Sequence, residues 1–257
     1  MVGQLIRMVW VAGALVITLG ACASKKPALD SDEVRARKYV EIASGSFSEG
    51  DNAGAFRALN EAEKIDPKLP EIHHIRGIIL ISRGELAQAK LSVERAIQLK
   101  PEYSAARNTL GKILLNDGKF MEAEIQLRLA ADDRTFSEGY MAHTNLGILY
   151  YKTKKFTKAM VALSKAINDR PNMGCVARYY RGHVHLREGR IGDAIRDYDA
   201  ATKRFCANFA EAYYALGVAQ IRGKKFDSAR KTLLDVVSRY QDKPIAKMAI
   251  DQLRYIP

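Results

Sequence analysis

The chain is short of residues that interrupt helices and of motifs that carry chemistry. Seven prolines in 257 residues leave room for long helices. No H-E-x-x-H, phosphate loop, Gly-x-Ser-x-Gly turn or paired C-x-x-C occurs. His73 with His74, and His183 with His185, have spacings that point their rings to different faces of a helix, as packing or surface residues do. Asp132-Asp133 and Asp197-x-Asp199 have no metal-binding loop around them. An enzyme is therefore not expected, and neither is a catalytic residue, a metal site, a cofactor or a small-molecule substrate. Long apolar runs are missing too: the uncharged stretch from Met8 to Ala21 has 14 residues, and crossing a bilayer takes about 20.

That stretch, preceded by Arg7, suits the core of a secretory signal. It ends in Leu19-Gly20-Ala21-Cys22, which resembles the lipobox of bacterial lipoproteins, where the cysteine becomes the acylated first residue of the mature chain. The resemblance implies a signal peptide over 1–21, lipidation with fatty acids such as palmitate at Cys22, and attachment to a membrane. Several acyl chains at roughly 0.8 kcal/mol per buried methylene hold stably where one is marginal. A plain secretory signal with an incidental cysteine is the alternative. Ala23, where inner-membrane lipoproteins of two-membrane bacteria carry Asp, implies the periplasmic face of the outer membrane. Residues 22–35 read as a tether and a helix start, with Asp30 and Ser31 as candidate N-caps and Glu33 able to close a capping box on Asp30. About ten tether residues reach at most ~35 Å. Losing residues 1–21 removes Trp10, Arg7 and no acid, so a formal charge of +12 falls by only one. Such a basic chain ordinarily suggests nucleic acid, but an exported, tethered protein meets little of it and none is expected. Acidic headgroups, cell-wall carboxylates or an acidic protein face are the expected counterparts, against a merely solvated basic surface.

What is abundant is periodic. Gly77, Gly111, Gly147, Gly182 and Gly217 recur at intervals of 34, 36, 35 and 35, with Ala43 standing in at the start. Ala55, Ala89, Ala123, Ala159, Ala194 and Ala229 follow twelve residues after each member, and Ala62, Ala96, Ala130, Ala166, Ala201 and Val236 seven after that. Three interlocked series match the tetratricopeptide pattern of two antiparallel helices per 34 residues. The frame gives an all-α solenoid of six helix-turn-helix units over 36–243: 36–69, 70–103, 104–137, 140–173, 175–208 and 210–243. Small residues let neighbouring helices approach within the usual 8–10 Å. Gly50, Gly84, Gly118 and Gly189 fall between paired helices, where a left-handed turn is wanted, and Pro67, Pro101 and Pro171 stop second helices. Arg76 and Arg181 replace the usual leucine before the glycine, which is expected to weaken packing locally. Residues 244–257 form the capping helix, with Pro244 at its start and Ile245, Met248, Ala249 and Ile256 on its inward stripe.

Cys175 opens the first helix of unit 5 and Cys206 lies just past its second, at the same end of the hairpin. An oxidising compartment then permits a disulfide, the alternative being two buried thiols. Stacked hairpins curve so that first helices line a concave groove. The predicted partner-binding residues along it are Phe47, Ile78, Ile81, Asn108, Lys112, Leu115, Ile148, Tyr151, Tyr179, His183, Tyr214 and Val218. An apolar groove with tyrosine anchors marks a protein-partner site, the alternative for each residue being contact with a neighbouring helix. Lys112, Lys152 and Arg187 are placed to meet acidic groups. The set lacks the Lys/Asn/Arg clamp of chaperone-tail binders.

Lipobox, six repeats and closing helix together resemble the lipoprotein pilotins of type IV pilus systems, the Tgl and PilF/PilW group. The stretch "DDRTFSEGYMAHTNLGILYYK" and the cysteines in "RPNMGCVARYY" and "RFCANFAEAYYALGV" are most similar to the Tgl branch. The resemblance implies a tethered scaffold-chaperone that brings secretin subunits to the outer membrane and helps them assemble into a multimeric ring. A scaffold for cell-wall enzymes and a subunit of the outer-membrane barrel-assembly machine are the other readings left open.

Overall fold

The computed structural model describes residues 31–257; Cys22 and the predicted signal segment lie outside them. The described residues form thirteen α-helices and no strand. Twelve pair as hairpins: α1 (Asp32–Ser48) with α2 (Asn52–Ile65), α3 (Pro70–Ser82) with α4 (Leu86–Leu99), and α5 (Ser104–Asn116) with α6 (Phe120–Asp132). They continue as α7 (Gly139–Lys152) with α8 (Phe156–Asp169), α9 (Cys175–Arg187) with α10 (Ile191–Ala200), and α11 (Ala210–Arg222) with α12 (Phe226–Arg239); α13 (Pro244–Leu253) closes the stack. Each helix packs on the next, and every odd-numbered helix also touches the following odd-numbered one. No comparably extensive contact joins successive even-numbered helices. The first helices of the hairpins are therefore the inner layer of a curved solenoid.

The periodic glycines explain why the hairpins close. A Cβ on Gly77 would lie 2.5 Å from Val93 Cγ2, one on Gly111 2.5 Å from Leu127 Cγ, and one on Gly217 2.6 Å from Leu233 Cδ2. Each glycine is thus the seat of the large side chain sixteen residues on. The seated residues Val93, Leu127, Leu163, Tyr198 and Leu233 are all fully buried, as is Leu59 sixteen residues after Ala43. The turn glycines Gly50, Gly84, Gly118 and Gly189 have φ of +86°, +77°, +75° and +72°, the left-handed conformation expected of them.

One local expectation is narrowed and two are corrected. Of the two candidate N-caps it is Ser31 that caps α1, accepting from the Val34 N–H at 3.3 Å, while Glu33 pairs with Arg37 at 3.0 Å; the capping box on Asp30 lies outside the described residues. Arg181 does not weaken its site, because Asp197 accepts from its Nε and from one terminal nitrogen at 2.7 Å each. Arg76 likewise donates to Glu63 at 2.8 Å and Asn60 at 3.2 Å in the preceding unit. On the cap, Ala249 and Ile256 are buried and Ile245 packs beside them as expected, but Met248 is exposed, and Ala246 and Leu253 face inward where it does not.

Unit 5 departs most from the frame. Its second helix has 10 residues where the others have 13 or 14, and a 3-10 turn, Arg204–Cys206, follows. Cys175 and Cys206 are joined by a disulfide with Cα atoms 5.5 Å apart.

Candidate functional site

The inner layer carries the twelve predicted groove residues in three different states. Phe47, Ile78, Ile81, Ile148, Tyr151, Tyr179, His183, Tyr214 and Val218 are half-buried, each keeping some surface towards solvent. Asn108 accepts a hydrogen bond from the Asn145 side-chain amide at 2.9 Å, tying unit 3 to unit 4, and Lys112 is exposed. Leu115 is only 3% exposed and belongs to the central core. It is a packing residue rather than a groove contact.

Five of these residues converge. Tyr151, Tyr179, His183, Tyr214 and Val218 line a pocket of about 400 Å³ together with Leu186, Arg187, Tyr198, Ala215 and Arg222. It lies between α7, α9 and α11, where three first helices stand side by side. Its floor is aromatic. The His183 ring stacks on Tyr151 at 5.8 Å between centroids and meets Tyr179 edge-on at 4.4 Å. Tyr179 also packs against Phe209 at 5.1 Å and Tyr198 at 6.0 Å. Tyr198 Oη lies 2.8 Å from His183 Nδ1.

Burial sets the protonation of this floor. It pushes His183 down to about 4, Arg222 nearby adding to the effect, so the imidazole is neutral at pH 7 and can accept from a phenol. Burial likewise pushes Tyr179 up to about 12 and raises Tyr198 further, so both stay protonated. The floor is therefore an uncharged aromatic cup, and the charges among its lining residues are the two exposed guanidinium groups at the rim. Such a cup takes an apolar or aromatic side chain. Nothing in it is arranged as an acid, base or nucleophile: His183 is neutral and bonded to a phenol, and the other histidines are packed elsewhere. His74 bridges Tyr103 and Thr109 at 3.1 and 3.0 Å, while His185 lies 3.5 Å from Asp197 on the opposite side of α9.

Tyr198 and Arg222 were not among the predicted groove residues. Tyr198 sits on a second helix, which the frame assigns to the outer layer, but a phenol at a register otherwise held by leucine or valine reaches through to the inner face. Arg222 shares its place in the repeat with Lys152 and Arg187, a periodic signal that the sequence does carry.

The tetratricopeptide repeat model matches residues 76–138, 109–172 and 179–244. The chain belongs to the tetratricopeptide repeat family. Repeats of this family are, as a rule, scaffolds for protein–protein contact. DnaJ homolog subfamily C member 3 of Bos taurus is 24% identical over 196 residues, covering 70% of this chain and 38% of that protein. Thus the chain spans 38% of the length of the first curated relatives it matches. Type IV pilus assembly protein PilF of Pseudomonas aeruginosa is 24% identical over 146 residues, covering 57% of this chain and 58% of that one. The crystal structure of PilW, a widely conserved type IV pilus biogenesis factor, superposes with a TM-score of 0.75 at 18% identity, covering 84% of this chain and 98% of PilW. Pseudomonas aeruginosa PilF does so with a TM-score of 0.74 at 17% identity, covering 87% and 100%. At these identities the likeness is one of fold.

Proposed function

We propose that this tetratricopeptide repeat protein is a pilotin: a scaffold, held at the periplasmic face of the outer membrane through an acylated Cys22, that promotes localisation and multimer assembly of the type IV pilus secretin. The observation that carries the reading is the superposition of this solenoid on 98% and 100% of the solved chains of PilW and PilF. The lipobox-like Leu19-Gly20-Ala21-Cys22 supports the anchor, and the aromatic pocket supports a groove that holds a segment of a protein partner. In this reading the lipid supplies location, and the groove holds a secretin segment until contacts between secretin subunits replace it.

Deleting the gene should abolish the detergent-resistant secretin ring while leaving other outer-membrane barrels at normal levels. An intact ring with altered cell shape would favour a scaffold for cell-wall enzymes, and a general loss of barrel proteins would favour a role in barrel assembly. Cys22→Ala, which leaves the repeats untouched, should reduce ring assembly severely; full rescue by that soluble form would remove the anchor from the mechanism.

A further inference from the structure

The last residues of the first helices are charged in one half of the groove only. Lys152, Arg187 and Arg222 end α7, α9 and α11 at the same place in three successive units, and the equivalent residues in units 1 to 3 are Ser48, Ser82 and Asn116. All three cations are exposed. None forms an ion pair with a described residue, so all three charges are available to a ligand. Arg187 and Arg222 are among the residues that line the aromatic cup. At the opposite edge of units 4 to 6 the equivalent places hold Met141, Val176 and the exposed Glu211, with no cation. A row of unpaired cations beside a neutral apolar cup is complementary to a ligand that is apolar at its centre and anionic along one side.

We infer that units 4 to 6 bind an extended peptide segment of a protein partner in which apolar or aromatic side chains alternate with carboxylates. The spacing follows from the scaffold. Adjacent first helices lie about 8–10 Å apart, which a chain in the polyproline II conformation covers in about three residues at roughly 3.1 Å each, with every third side chain on the same side. The recognised segment therefore carries Asp or Glu at every third place, with an aromatic or branched side chain between two of them for the cup. This inference rests on the groove reading above and names the chemistry of what the groove holds.

The test uses the full chain in detergent and a fluorescein-labelled ten-residue peptide in which three aspartates are separated by Leu-Phe pairs, read by anisotropy. One analogue replaces each aspartate by asparagine, and a second replaces the Leu-Phe pairs by alanines. The aspartate peptide should bind at least tenfold more tightly than the asparagine analogue at low salt and lose that advantage at high salt. Lys152→Gln/Arg187→Gln/Arg222→Gln should erase it, while Lys231→Gln/Lys247→Gln on exposed surface elsewhere leaves it intact. Equal binding of the aspartate and asparagine peptides, with the alanine analogue weak, would overturn the acidic inference and leave the apolar groove standing. Equal loss on the control variant, or competition by anionic vesicles as effective as unlabelled peptide, would assign the effect to net charge and overturn it as well. If no peptide binds while secretin fragments do, the inference fails and the pilotin reading survives.

Discussion

Arg181 and Asp197 show what one substitution in a repeat demands of its neighbours. Most other units place leucine or isoleucine where Arg181 stands, and unit 4 pairs Leu146 with Ala162 at the two registers. In unit 5 the guanidinium is largely covered, the carboxylate is 5% exposed as a residue, and His185 lies beside them. Removing one partner of a buried pair costs about 3–5 kcal/mol, whereas replacing both by apolar groups is often neutral. Asp197→Ala should therefore lower the urea midpoint sharply, and Arg181→Leu/Asp197→Ala, which imports the unit 4 pair, should recover most of the loss. Histidines supply a second prediction. Burial pushes His74 and His183 down to about 4 and lowers His73, His143 and His185. The unfolded chain, with imidazoles near 6.5, then binds more protons than the folded one between those values, so stability is full above pH 6.5 and falls as pH drops towards 4. His74 and His183 contribute on the order of 2–3 kcal/mol each across that window. Thermal melts should show the midpoint dropping between pH 6.5 and 4.5, with a smaller drop in His183→Asn. A midpoint flat across that interval would contradict the burial assigned to these rings. None of this was legible in the sequence, where Arg181 reads as a defect and the histidines as unremarkable, because the partner that satisfies each residue comes from a different helix.

The hairpin turn is where sequence and element meet most directly. Glycine takes the left-handed turn position in units 1, 2, 3 and 5, and the same place in units 4 and 6 is held by Lys154 and Lys224 with φ of +60° and +55°. A residue with a Cβ costs about 1–2 kcal/mol in that conformation, offset in part by the extra freedom glycine has when unfolded. Lys154→Gly and Lys224→Gly should each stabilise the protein by about 0.5–1 kcal/mol, seen as a raised urea midpoint at unchanged m value, and Gly118→Ala should destabilise it by about 1 kcal/mol. The glycine series made the fold readable because a turn and a helix crossing both exclude side chains, and exclusion leaves a mark in sequence. Contacts built from side chains that fit leave none. Hence the register of the groove was legible and its contents only partly: Tyr151 and Tyr179 were found by position, Leu115 was assigned to the surface when its helix turns it inward, and Tyr198 was missed on the second helix.

At the scale of the molecule, a solenoid's stability is a chain of neighbour contacts, and this one has joints where one buried cluster hands over to the next, inside units 2, 5 and 6. Buried apolar residues fall into four clusters, and the hand-over between the large central cluster and the next lies inside unit 5: Ala177 and Val184 belong to one, Ala194 and Tyr198 to the other. Even adjacent side chains divide, Tyr180 packing with the central cluster and Tyr179 with the following one. The same unit has the shortened second helix and the strained Arg204 at φ +55°. The disulfide between Cys175 and Cys206 spans that hand-over with a sequence separation of 31, and closing such a loop is worth on the order of 3–4 kcal/mol in the chain-entropy model. Reduction should therefore open the molecule from this point rather than weaken it evenly. In hydrogen exchange with reductant present, amides of α11, α12 and α13 should lose protection first, while those of α3 to α8 keep theirs. Urea unfolding should then split into two steps. Cys175→Ser/Cys206→Ser should behave like the reduced protein and ignore reductant, and its pocket, built across α7, α9 and α11, should lose affinity for peptide before the N-terminal units unfold. Uniform loss of protection along all thirteen helices would mean that the clusters are coupled more tightly than their separation in unit 5 implies.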